Sequence, residues 1–253
     1  MKKLFTGAGA AVFSLLILFV LLITSVEAVC YWTPGIYRKE FAKYDCPRLL
    51  RHYCGEVMDL DGLDQVMDQT MAFLRGNRDD LTVIVPIDGR EQEFYNDEEI
   101  SHMTDVRNLF LLCIRLRRAA FLLALAIALA FWKGFGRGTA GILGRGFFWT
   151  SLAVFALAAG TSLLISTDFD RYFTIFHEIF FSQGNWMFDP RTSRMIDIMP
   201  EEFFMDLALR IAVTFLAASA ALLLLARFLG RSADMKKMPV EDSSAGDHPR
   251  QLP

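Results

Sequence analysis

A chain of 253 residues that is 53% hydrophobic, with 23 phenylalanines and a mean hydropathy of +0.32, fits a membrane protein better than a soluble globular domain. The formal net charge of -3 comes with no basic cluster of the kind that holds nucleic acid, so no nucleic-acid partner is expected. Apolar segments at 8–28, 109–132, 147–165 and 207–229 each approach the ~20 residues that cross a bilayer as helix.

Basic residues orient these segments. Lys2 and Lys3 precede the first, Lys133, Arg137 and Arg145 lie between the second and third with no acid among them, and Arg227, Arg231, Lys236 and Lys237 follow the fourth. By the positive-inside rule all three places are cytoplasmic. The expected fold class is therefore a mainly α membrane protein with four spans. Residues 1–28 form the first span with a cytoplasmic N-terminus, 29–108 an extracytoplasmic α+β module, 109–132 the second span and 133–146 a cytoplasmic loop. Residues 147–166 form the third span, 167–206 an extracytoplasmic loop with an amphipathic interfacial helix, 207–229 the fourth span, and 230–253 a polar tail expected to be disordered. The first apolar core is long for a signal peptide and reads as an uncleaved anchor. Glu27, Ala28 and Val29 argue against Cys30 as the lipidated start of a mature chain.

Beyond the first span, residues 30–54 mix Tyr31, Trp32, Tyr37, Phe41, Tyr44 and Tyr53 with Arg38, Lys39, Lys43, Arg48 and Arg51, a composition suited to the surface of the outer leaflet. Cys46 and Cys54 fall on the oxidising side, and a disulfide between them is expected. Asp59 or Asp61 can cap a helix carrying Leu63, Val66, Met67, Thr70 and Leu74, which Gly76 can end. A strand over 81–87, the turn signal Asp88-Gly89 and a return strand over 90–95 predict a hairpin. Residues 96–108 read as helix running into the second span, where Arg115, Arg117 and Arg118 are costly if they face lipid. The glycine-rich stretch 133–146 lacks the ending of a phosphate loop and reads as a turn.

Residues 168–200 are dense in aromatics. Read as helix, this stretch gathers Asp170, Thr174, His177 and Glu178 on one face and Phe173, Phe176, Ile179 and Phe180 on the rest, which suits a membrane surface. The chain has four histidines: His52 in the basic loop, His248 in the tail, and His102 and His177 near the outer mouths of spans. Glu98, His102 and Asp105 share a helix face, so either carboxylate can orient the imidazole. His177-Glu178 begins like a zinc-protease helix, but Phe181 stands where the second histidine belongs, and no serine-hydrolase elbow occurs. No metal and no cofactor are expected. What remains is general acid–base catalysis without a protein nucleophile.

The run FHEIFF at 176–181, the W-x-F-D-P at 186–190, EISHMTDVRNLF at 99–110 and LRGNRDDL at 74–81 together resemble the lipoprotein intramolecular transacylase family of bacterial membrane proteins. The resemblance implies a diacylglyceryl-modified lipoprotein as substrate and membrane lipids as surroundings. It implies transfer of the sn-2 acyl chain to the α-amine of the terminal cysteine, at the extracytoplasmic face of the bacterial cell membrane. His177 is then the expected base and His102 the acid or oxyanion donor, with the reverse assignment open. Asp105, Glu98 and Glu178 are expected to support them, and Arg107 and Arg171 to hold carbonyl or backbone oxygens unless they serve in salt bridges. A non-enzymatic binding or envelope-sensing protein and a lipid-ester hydrolase are the alternatives. Oligomeric state is not legible.

Overall fold

The computed structural model describes residues 2–181, 184 and 186–235. Helix α1 (Lys2–Trp32) takes the whole first apolar run, and short helices α2 (Ile36–Lys43) and α3 (Cys46–Tyr53) follow. Helix α4 (Leu60–Leu74) starts where the Asp59 carboxylate accepts the Gly62 N–H at 2.8 Å, and the chain leaves it through Gly76 at φ 81°, a left-handed conformation that suits glycine. Strands β1 (Ile84–Ile87) and β2 (Arg90–Glu93) pair antiparallel across Asp88 (φ 52°) and Gly89 (φ 72°), both in the positive-φ region a tight hairpin turn demands. Helix α5 (Asp97–Phe135) opens on a reciprocal cap between Asn96 and Glu99 and runs unbroken through the second apolar segment. A three-residue 3₁₀ turn at Gly136–Gly138 leads to α6 (Thr139–Ile165), followed by α7 (Phe169–Phe180), α8 (Arg194–Ile198) and α9 (Glu201–Met235).

Several boundaries differ from expectation. The ladder begins at Ile84 rather than Leu81, although the Phe94 N–H still donates to the Val83 carbonyl at 2.8 Å. The glycine-rich stretch is helical except at 136–138, and of its glycines Gly144 and Gly146 fall where α6 packs on neighbouring helices, against Ala226 and Ala10. The fourth helix begins six residues before the apolar run, and the expected disordered tail, with Lys236, Lys237 and His248, lies largely outside the described residues.

The four long helices form one bundle in which α1 touches α5, α6 and α9. A Cβ on Gly9 would meet the Phe131 ring at 3.0 Å and one on Gly146 would meet the Ala10 Cβ at 2.7 Å, so small residues set the spacing of α1 against α5 and α6. The stretches 9–10, 131 and 146 thus share one level. At the other end of α1, buried Glu27 pairs with Arg117 of α5 and lies 3.5 Å from Arg75, which answers the charge of Arg117 inside an apolar segment. Arg115 and Arg118 are exposed. Segments Phe5–Trp32 and Glu201–Arg227, with mean hydropathies of 2.6 and 2.2, are long and apolar enough to cross a bilayer. Leu122, Leu157, Leu163, Leu209 and Leu224 stand exposed on the outside of the bundle, where an aqueous surface would leave them unsatisfied and lipid would not.

A second core sits at the histidine-bearing end, where Phe41, Leu50, Leu63, Val66, Val83, Val85, Ile87, Phe94, Ile198 and Phe203 are buried together. Residues 30–54 contribute Ile36, Phe41, Cys46 and Leu50 to this core while Trp32, Tyr53 and the cations stay exposed, and of those cations Arg38 reaches Asp61 at 2.6 Å and Asp64 at 2.7 Å, and Lys43 reaches Asp206. The expected disulfide is not formed. The Cys46 thiol faces the Ile198 carbonyl at 3.5 Å, whereas the Cys54 thiol faces Asp197 at 3.3 Å and the Pro190 carbonyl at 3.4 Å. Burial, with the Asp197 carboxylate beside it, pushes the Cys54 thiol up to about 12, so the thiolate that disulfide exchange requires is scarce.

Candidate active site

Two elements far apart in sequence bring the two central histidines together. The cap at Asn96 fixes where α5 begins, which sets the rotation of its second turn and directs His102 inward, 7% exposed. Asp168 accepts the Arg171 N–H at 3.2 Å and starts α7, whose single buried residue is His177, 8% exposed. Phe176, Ile179 and Phe180 of the same helix are exposed, so α7 turns its imidazole to the protein and its apolar side chains outward.

The two imidazoles lie nearly parallel, with ring centroids 6.1 Å apart and planes at 27°. Aromatic rings wall them in. Phe181 stands 4.8 Å from His102 and 5.3 Å from His177, Phe188 lies 5.7 Å from His102, and Phe173 and Trp186 lie 3.9 and 4.8 Å from His177. His177 Nδ1 is 2.8 Å from the Phe173 carbonyl oxygen, which can only accept, so Nδ1 carries the hydrogen and Nε2 keeps the free lone pair. Burial lowers the pKa of His177, partly offset by that hydrogen bond. Burial, reinforced by the neighbouring His177 and opposed by Asp105, lowers His102 to about 4. Both imidazoles are therefore neutral at pH 7. Such a pair offers one ring nitrogen as a base and a neutral ring N–H as a hydrogen-bond donor, in surroundings poor in water.

The expected supporting residues divide. Asp105 acts on His102 through its charge, but its Oδ2 and His102 Nδ1 are both buried without a hydrogen-bond partner among the described residues. Glu98, Glu178 and Arg171 are exposed. The shared face of Glu98 and His102 therefore does not become a shared contact, because α5 buries Glu99 and His102 and turns Glu98 to solvent. Arg107 takes the salt-bridge role: it lies 3.6 Å from the Asp79 carboxylate, donates to the Asp79 carbonyl at 3.3 Å and stacks 4.7 Å over Phe73. His52 packs 4.7 Å from the Tyr53 ring, apart from the pair.

Glu99 escaped sequence reading. Its side chain accepts the Asn96 N–H at 2.8 Å, the Ser193 hydroxyl at 2.6 Å and the Met195 N–H at 3.1 Å. The Asn-x-x-Glu spacing signals the first of these bonds, but the other two come from a segment 94 and 96 residues away that no local pattern reaches.

A profile of the lipoprotein intramolecular transacylase family, Lit, matches residues 11–204. No curated protein matches the chain. Among solved structures, the membrane-integral transacylase Lit from Bacillus cereus carrying a histidine-to-arginine substitution shares 21% identity, covering 93% of this chain and 96% of that one with a TM-score of 0.72. The same protein with a histidine-to-alanine substitution gives 22% identity, coverage of 92% and 97%, and a TM-score of 0.71. A third structure of it gives 23%, 92% and 99%, and 0.71. At these identities the structures attest the fold, and the profile, spanning most of the chain, attests the family. The chain belongs to the lipoprotein intramolecular transacylase family, an acyltransferase family with membrane-integral members.

Proposed function

We propose that the chain moves the sn-2 acyl chain of a diacylglyceryl-modified bacterial lipoprotein onto the α-amine of its N-terminal cysteine, and that His177 and His102 carry the transfer. The observation that supports this most is the pair of near-parallel imidazoles 6.1 Å apart, set among aromatic walls by two separate helices. The amine nitrogen attacks the ester carbonyl carbon; a C–N bond forms, the bond from that carbon to the sn-2 oxygen breaks, and the amine proton ends on the released glycerol oxygen. His177 Nε2, left unprotonated because the hydrogen sits on Nδ1 against the Phe173 carbonyl, is suited to take the proton and return it. A neutral His102 is suited to donate to the oxyanion, and its Nδ1, unpartnered among the described residues, is available for a substrate bond. Asp105 supports His102 electrostatically.

Amine and ester already belong to one molecule. Holding them in contact supplies much of the rate, since intramolecular reactions reach effective molarities on the order of 10⁵ M or more, and no covalent enzyme intermediate is required. The aromatic walls disfavour water, which favours transfer over hydrolysis. In this reading α1, α5, α6 and α9 are four membrane spans, with the histidines at the extracytoplasmic face of the cell membrane and the exposed aromatics of α7 among the lipids. Mass spectrometry of lipoprotein N-termini from cells with and without the chain tests it. A product of unchanged acyl composition with one chain moved to nitrogen is expected. A lost chain would indicate a hydrolase, and an unchanged lipoprotein would refute both.

A further inference from the structure

The polar group nearest in sequence to His102 that is both buried and fully engaged is Glu99, one turn toward the N-terminus of α5 and 1% exposed. Its carboxylate accepts from its own helix start, Asn96 N–H, and from the far segment 193–195, through the Ser193 hydroxyl and the Met195 N–H. Ser193 and Met195 are themselves buried. Asn96 adds a bond from its side-chain amide to the Thr192 carbonyl at 3.4 Å. The segment so held leads directly from Trp186 and Phe188, the rings that stand against His177 and His102. One end of this cover is continuous with α7, and the other is tied to α5 within a turn of His102.

We propose that Glu99 is a positioning residue: by clamping 193–195 to the start of α5 it holds the aromatic cover over both imidazoles and keeps His102 in its water-poor setting. The proposal rests on the reading of His102 as an acid or oxyanion donor. Three donors converge on Glu99, and a side chain with a single acceptor oxygen cannot satisfy all of them. Glu99→Gln therefore loosens one side of the clamp while keeping its shape, and Ser193→Ala removes a donor from the cover without touching α5.

The experiment is titration of the His102 ring by NMR, in purified full-length protein with labelled histidine, for the parent, Glu99→Gln and Ser193→Ala. Transacylation of a reporter lipoprotein is measured alongside. The charged or titratable groups facing His102 are His177 of α7 and Asp105 of its own helix, and neither is altered. Expected in both variants are a His102 midpoint moved upward toward the ordinary value as water enters, a fall in kcat of about tenfold with KM little changed, and a double variant no worse than Glu99→Gln alone. An unmoved midpoint in folded variants overturns the clamp, whatever the activity. A midpoint that moves while activity stays at the parent level upholds the clamp and instead removes His102 from the chemistry, so the two readings fail separately.

Discussion

At the scale of single residues, the features that make the site are burial and the pairing of ring nitrogens. His102 is held near 4 against an ordinary value of about 6.5, so the unfolded chain binds a proton between those values before the folded one does. Its contribution to stability is complete above pH 6.5 and is lost as the pH falls toward 4. Thermal unfolding in detergent should show a midpoint that drops across that window, and His102→Gln should flatten the drop. Burial lowers both imidazoles below the ordinary value, so the acid limb of kcat/KM belongs below 6.5. The rise toward about 8 then follows the substrate amine, which must be neutral to attack. Both histidines were legible as residues beside carboxylates near span ends. Their carboxylate partners were not, because helical spacing says which residues share a face and not which of them the rest of the fold covers. Glu98 and Glu99 differ in fate for that reason alone.

At the scale of elements, the bundle rests on the Glu27–Arg117 ion pair and on close approaches such as Gly146 on Ala10. Glu27 is buried between Arg117 and Arg75, and breaking such a pair leaves an uncompensated charge. Glu27→Gln or Arg117→Met alone should destabilise the protein by about 3–5 kcal/mol, and the double variant should recover most of the loss, as measured by unfolding in detergent. Gly146 sits where a Cβ would approach the Ala10 Cβ to 2.7 Å. Gly146→Ala should cost about 1–3 kcal/mol, and adding Ala10→Gly should restore part of it. Elements with strong local signals were readable: the Asp59 cap, the Asp88-Gly89 turn and the helix leading into the second apolar run all occupy their expected places. Composition marked the exposed cations and rings of 30–54 but not that Ile36, Phe41, Cys46 and Leu50 join a core, and it suggested a turn over 133–146 where all but 136–138 is helical.

At the scale of the whole molecule, the bundle has two unlike ends. One carries the turn at Gly136–Gly138, and the other carries the second core and both histidines. With Lys133, Arg137 and Arg145 at the first end, reporter fusions after Gly141 should behave as cytoplasmic, and fusions after Glu91 and Arg194 as extracytoplasmic. A cytoplasmic signal at Glu91 would put the site on the wrong side for lipoproteins. Apolar length made the four long helices legible, but the joining of 99 to 193 and of 102 to 177 is a property of the folded chain.

The central claim is that His177 and His102 act as one unit in the acyl transfer. The most direct test is mass spectrometry of a reporter lipoprotein converted by His177→Ala, His102→Ala and the double variant, each at normal membrane level, with His52→Ala as control. Each single variant should lower conversion about 10²–10⁴-fold, and the double should be little worse than the weaker single. Parent-level conversion by His177→Ala would contradict the account.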